Sequence, residues 1–86
     1  MNENQNSKIP PNNLRSLRVL PHIGQWQLAL SSGVPQSRIS LIENRLAKPT
    51  MKEKIKIAEA LHRTLNEIFP EETEKIKQIR DYLREG

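Results

Sequence analysis

The sequence predicts an all-α domain, and three observations carry that reading. Apolar residues recur three or four apart in successive short stretches, such as Ile39 with Ile42 and Ala58 with Leu61, which gathers them on one side of a helix. Thr50-Met51-Lys52-Glu53 and Thr64-Leu65-Asn66-Glu67 both have the form in which Thr and Glu satisfy each other's free backbone N–H groups at a helix start. No stretch alternates apolar and polar residues as a half-buried strand does, and no internal repeat appears.

Size and composition set the bounds. The chain has 86 residues, a formal net charge of +4 and a pI near 9.8, so one small domain is expected. Trp26, Phe69 and Tyr82 are its aromatics. The core therefore comes mostly from Leu, Ile, Val and Ala, and a second interface would help to stabilise it. Cysteine is absent and histidine is limited to His22 and His62, which excludes disulfides and thiolate metal sites; neither metal nor cofactor is expected. No apolar run nears the length of a membrane span or a signal-peptide core, so a cytoplasmic protein with no membrane partner is the expectation. The basic balance suits a polyanion such as DNA without being specific to it. Its distribution says more: Arg15, Arg18, Arg38, Arg45 and Lys48 lie before Lys52, and most of the acid follows it.

In order along the chain, residues 1–10 are polar, Asn-rich and aperiodic, and are expected to be a disordered tail. With Lys8 as its single basic residue the tail is a poor arm for a DNA groove. Residues 11–70 hold the helical domain. Asn12 or Asn13 caps a first helix carrying Leu14, Leu17 and Leu20, with Arg15 and Arg18 between. Pro21 stops it, and His22 occupies the corner. Gly24 precedes a second helix, which Gln25 begins and in which Leu28, Ala29 and Leu30 form an apolar patch. Trp26 points away from that patch. It either lines the rim of a DNA surface or covers the end of the first helix, and packing is the favoured role. Ser32-Gly33 breaks the helix, because glycine takes a positive-φ corner at little cost. Pro35 suits the first turn of a third helix, in which Ile39 and Ile42 share a face and Gln36, Ser37, Ser40 and Leu41 fall outside it.

A basic loop, Asn44 to Pro49, leads to the capping box at Thr50 and a fourth helix with Ile55, Ala58 and Leu61, Ile57 beside them. The second capping box opens a short fifth helix that closes at Ile68-Phe69 before Pro70. Residues 71–86 start with acids, which suits a helix dipole, and carry one stripe of Ile76, Ile79 and Leu83 with Tyr82 alongside. This is the expected sixth helix. Its stripe packs back on the domain or pairs with a second copy, and pairing is favoured because five helices already make a complete unit.

The stretch from Gly24 to Asn44 is the one the rest serves. A short helix with an anchored apolar edge and a free row of Gln and Ser is suited to reading base edges. An ordinary amphipathic helical hairpin explains the same residues, since polar side chains on an outer face need no special purpose.

Leu14-Arg15, Leu17-Arg18, Gln25, Leu28-Ala29, Gly33-Val34, Ile39-Ser40, Ile42-Glu43-Asn44, Lys48-Pro49-Thr50, Ile57-Ala58, Ala60-Leu61 and Leu65 with Glu67-Ile68-Phe69 follow one another in a linked series. In this series the chain from Leu14 to Phe69 resembles the Cro- and phage-repressor-type, or XRE, helix-turn-helix family. The resemblance implies a lambda-repressor-like five-helix bundle with a helix-turn-helix, to which the sixth helix is added, and a third helix that lies in the major groove of double-stranded DNA. Carried over by position, it implies that Gln36, Ser37 and Leu41 face bases, with Ser40 reaching a base or a phosphate. It implies that Gln25, Arg38, Asn44, Arg45 and Lys48 contact phosphates. It further implies an ion pair between Arg18 and Glu43 that orients the third helix. The chain departs from the family's pattern at His22, His62 and Arg45, where glycine is usual at a helix end, at Gly24, where Thr or Ser commonly caps, and at Pro21, which shortens the first helix.

The function so implied is a sequence-specific, dimeric transcriptional regulator, most simply a repressor. The alternative is an antitoxin or another interaction module that holds a partner protein, with or without DNA. No clustered carboxylates, metal-ligand spacing or activated nucleophile is visible, so catalytic residues are not expected and the enzyme reading is set aside.

Overall fold

Helix-starting and helix-stopping residues recur every ten residues or so, and the chain folds at each of them. The computed structural model describes residues 9–70. Within them the helices are α1 (Leu14–Val19), α2 (Gln25–Ser32), α3 (Gln36–Glu43), α4 (Met51–Leu61) and α5 (Leu65–Ile68), and no strand is present among the described residues. Residues 1–8 of the tail expected over 1–10, and the sixth helix expected over 71–86, lie outside the described residues.

The caps explain the boundaries. Asn13 stands at the N-cap of α1 without a side-chain bond to the helix, and Asn12 before it steadies the start, its Oδ1 accepting from the Leu14 N–H at 2.9 Å. Gly24 has no side chain to offer α2, and Gln27 reaches back instead, its Oε1 accepting from the Gly24 N–H at 2.6 Å. Both Thr-x-x-Glu boxes form reciprocally. The Glu53 N–H donates to Thr50 Oγ1 at 3.1 Å and the Thr50 N–H to Glu53 Oε1 at 2.9 Å. At α5 the corresponding distances are 3.1 and 2.8 Å. Gly33 ends α2 with φ +80°. His22, Arg45 and His62 take positive φ of 63°, 58° and 58° without being glycine, so the chain keeps the turns and accepts the steric cost of a Cβ in each.

The core is Leu14, Leu28, Ile39, Ile42, Ile57 and Ile68, all fully buried, with Val34, Ala58, Leu61 and Phe69 around them. α2 packs against α3 and α4, and α4 against α5. The chain's start is tied to its end, since the Asn13 N–H donates to the Ile68 carbonyl at 2.9 Å and Asn13 Nδ2 to that of Glu67 at 2.9 Å.

Three expected core residues lie outside it: Leu20 is 70% exposed, Leu30 75% and Ile55 43%. The helical period explains each. Leu14 and residue 18 lie one turn apart, so Arg18, only 8% exposed, takes the inward position that Leu20 would need. Leu30 is two residues past buried Leu28, about 200° round the helix. On α4 the inward arc is Ile57, Ala58 and Leu61, and Ile55 falls on its flank. Trp26 is 58% exposed. Its indole lies beside Gly24: a Cβ there would stand 3.5 Å from Trp26 Cδ1 and Nε1.

Candidate nucleic-acid interface

α3 owes its orientation to both of its ends. Pro35 is extended (φ −55°, ψ 144°), and its carbonyl accepts from the Arg38 and Ile39 N–H groups at 3.0 and 3.1 Å, which starts the helix. Val34, 2% exposed, plugs the turn into the core, and its N–H donates to Ser32 Oγ at 3.1 Å. At the other end the Asn44 N–H donates to the Ser40 carbonyl at 3.1 Å, and the Leu46 N–H to that of Leu41 at 2.8 Å.

The two sides of α3 differ in character. Ile39 and Ile42 are fully buried. Gln36, Ser37, Ser40 and Leu41, at i, i+1, i+4 and i+5, form one outward row. Gln36 and Ser37 are exposed, Ser40 is half-buried and Leu41 is 38% exposed. This row offers amide and hydroxyl groups plus one apolar edge, the set that matches adenine, mixed acceptors and a thymine methyl.

Glu43 is where three helices meet. Arg18 of α1 grips it with Nε to Oε2 at 2.5 Å and Nη2 to Oε1 at 3.0 Å. Gln25, the first residue of α2, donates from Nε2 to Oε1 at 3.1 Å. Arg18 Nη1 also donates to the Ile23 carbonyl at 2.8 Å. The Arg18 and Glu43 side chains are 10% and 3% exposed. Buried charges need this degree of satisfaction, and the geometry fixes α3 against α1 and α2.

The residues implied as phosphate contacts divide in two. Lys48 and Asn44 are exposed, with Asn44 Nδ2 turned back to the Ser40 carbonyl at 2.9 Å. Gln25, Arg38 and Arg45 each hold a partner far along the chain. Arg45 Nε donates to the Ile9 carbonyl at 2.8 Å. Arg38 is in a fork with Glu53, Nε to Oε2 and Nη2 to Oε1, both at 2.9 Å. The Arg38 hydrogen bond, followed by those from Thr50, holds the Glu53 carboxyl below the usual glutamate range despite partial burial, and raises Arg38 in turn.

Sequence reasoning assigned Glu53 only a cap, and it missed the Gln25–Glu43 bond and the link from Asn12 Nδ2 to the Ile42 carbonyl, 3.1 Å long. No local signal marks these, because each joins residues 15 to 30 apart in the chain. Among the described residues no cluster of three or more His, Cys, Asp or Glu gathers as a metal site, and no helix is long and apolar enough to cross a membrane.

An all-helical bundle that braces one short helix from behind and leaves its polar row outward defines a class, the helix-turn-helix DNA-binding transcriptional regulators. The sequence model of a helix-turn-helix family matches residues 14–68, and the chain belongs to that family, of the XRE type. Among solved structures it is similar to the restriction-modification controller protein C.AhdI from Aeromonas hydrophila, with 29% identity and a TM-score of 0.62 over 64% of this chain and 83% of that one. No significant match is found among curated proteins.

Proposed function

We propose that the protein is a sequence-specific repressor that reads the major groove of double-stranded DNA with α3. The observation that carries this reading is the two-sidedness of α3: Ile39 and Ile42 fully buried, and Gln36 and Ser37 exposed beside Leu41. In this reading Gln36, Ser37, Ser40 and Leu41 choose the sequence. Lys48, Asn44, and the groups of Gln25, Arg38 and Arg45 that their internal bonds leave over, set register and affinity on phosphates.

Two copies bind together, at half-sites about one helical turn, roughly 34 Å, apart or a multiple of that. The similarity to a restriction-modification controller protein makes a restriction-modification system one class of regulated genes to test. Gel shifts with the chain's own upstream region are the direct experiment. A band that survives excess competitor DNA is expected, and repression of a reporter placed behind that region with it. Loss of the band at low competitor would refute sequence-specific binding.

A further inference from the structure

Glu53 lies on α4, away from the row that reads bases in the proposed function, yet its carboxylate, like that of Glu43 on α3, accepts three hydrogen bonds among the described residues. It takes Arg38 Nε and Nη2 at 2.9 Å each and the Thr50 N–H at 2.9 Å. Arg38 belongs to the first turn of α3. Its Nη2 also points at the Lys48 carbonyl, 3.4 Å away. The carboxylate thus ties α3 to the start of α4, and Arg38 carries the link on to the basic loop that holds Lys48. The Arg38 and Glu53 side chains are 33% and 18% exposed, and Nη1 of Arg38 has no hydrogen-bond partner among the described residues.

We propose that Glu53 is a positioning residue for DNA binding: through its fork with Arg38 it holds the Lys48 loop in register with α3. This rests on the reading of α3 as the DNA-facing helix. The charge logic makes the idea discriminating. An acid beside a phosphate-binding surface repels the polyanion, so by field alone its removal raises affinity. If Glu53 positions the basic loop, its removal lowers affinity although the protein becomes more positive. A fork of two charge-assisted hydrogen bonds also fixes an orientation that a single point contact does not.

The variant that tests this is Glu53→Gln in the full chain, because glutamine at this position keeps the reciprocal cap with Thr50. Binding to the chain's own operator is measured against salt concentration, with helix content and thermal midpoint recorded alongside. Affinity is expected to fall roughly three- to tenfold, and the slope of log K against log salt to shrink by about one phosphate contact. Placed on Arg38→Gln, the same change is expected to add nothing. Glu53→Asp keeps the charge but shortens the reach, and it should lose affinity as well. Unchanged or increased affinity in Glu53→Gln, or a further gain when it is combined with Arg38→Gln, overturns the positioning role. If the wild-type chain binds no duplex, the reading of α3 fails first, and it fails visibly in the control lane.

Discussion

Removing either member of the Arg18–Glu43 pair strands the other charge where water has little access. Their side chains are 10% and 3% exposed. Breaking such a pair costs about 3–5 kcal/mol, whereas replacing both partners by apolar groups is often neutral or better. Glu43→Ala is therefore expected to destabilise by about that amount in urea unfolding, a large share of the total for so small a domain. The double variant Arg18→Met/Glu43→Leu should recover most of the loss in stability but not the orientation of α3, so DNA affinity should stay low.

The opposite sign holds at His62, an exposed residue at φ 58°. A Cβ in that region costs roughly 1–2 kcal/mol, of which the greater freedom of unfolded glycine returns part. His62→Gly should raise the thermal midpoint by a few degrees, on the order of 0.5–1 kcal/mol in stability. At the surface, Lys48→Ala should weaken every duplex alike and reduce the salt slope by about one.

Among the elements, α4 and α5 begin with the same box, and folding favours the ionised form of the glutamate in each. Hydrogen bonds from Arg38 first and Thr50 next hold Glu53 low; the Thr64 N–H and then Arg63 hold Glu67 low. A carboxyl depressed on folding lends stability above its unfolded value, about 4.3, and loses it as pH falls through the lower folded value. Acid unfolding should therefore begin below about pH 4.3, with α4 and α5 loosening. Glu53→Gln and Glu67→Gln should each flatten that limb of the stability profile, followed by circular dichroism.

The helices and both boxes were legible in the sequence because caps and period are local signals. Which apolar residues turn inward was less so. Leu20, Leu30 and Ile55 carry the right side chain at the wrong angle, and Arg18 occupies a core position that composition assigns to a leucine. The candidate site was legible as an outward row on α3 and, through the family pattern, as the Arg18–Glu43 pair, but not in its other partners. Gln25, Arg38 and Arg45 find theirs across the fold, at separations of 15 to 36 residues.

For the whole molecule, the described bundle holds α3 through Ile39, Ile42 and the Glu43 bonds and turns its polar groups outward, and the basic residues Arg38, Arg45 and Lys48 lie on or just after that element. If two copies bind together, as the proposed function holds, inserting half a helical turn, about five base pairs, between half-sites should abolish cooperative binding. The most direct measurement is binding-site selection from random duplexes with the wild-type chain and with Gln36→Ala. The wild type should select a two-fold symmetric site, and Gln36→Ala should lose its preference at one symmetric position in each half-site while keeping the rest. If both select the same sequence with the same stringency, α3 does not read bases through its outer row.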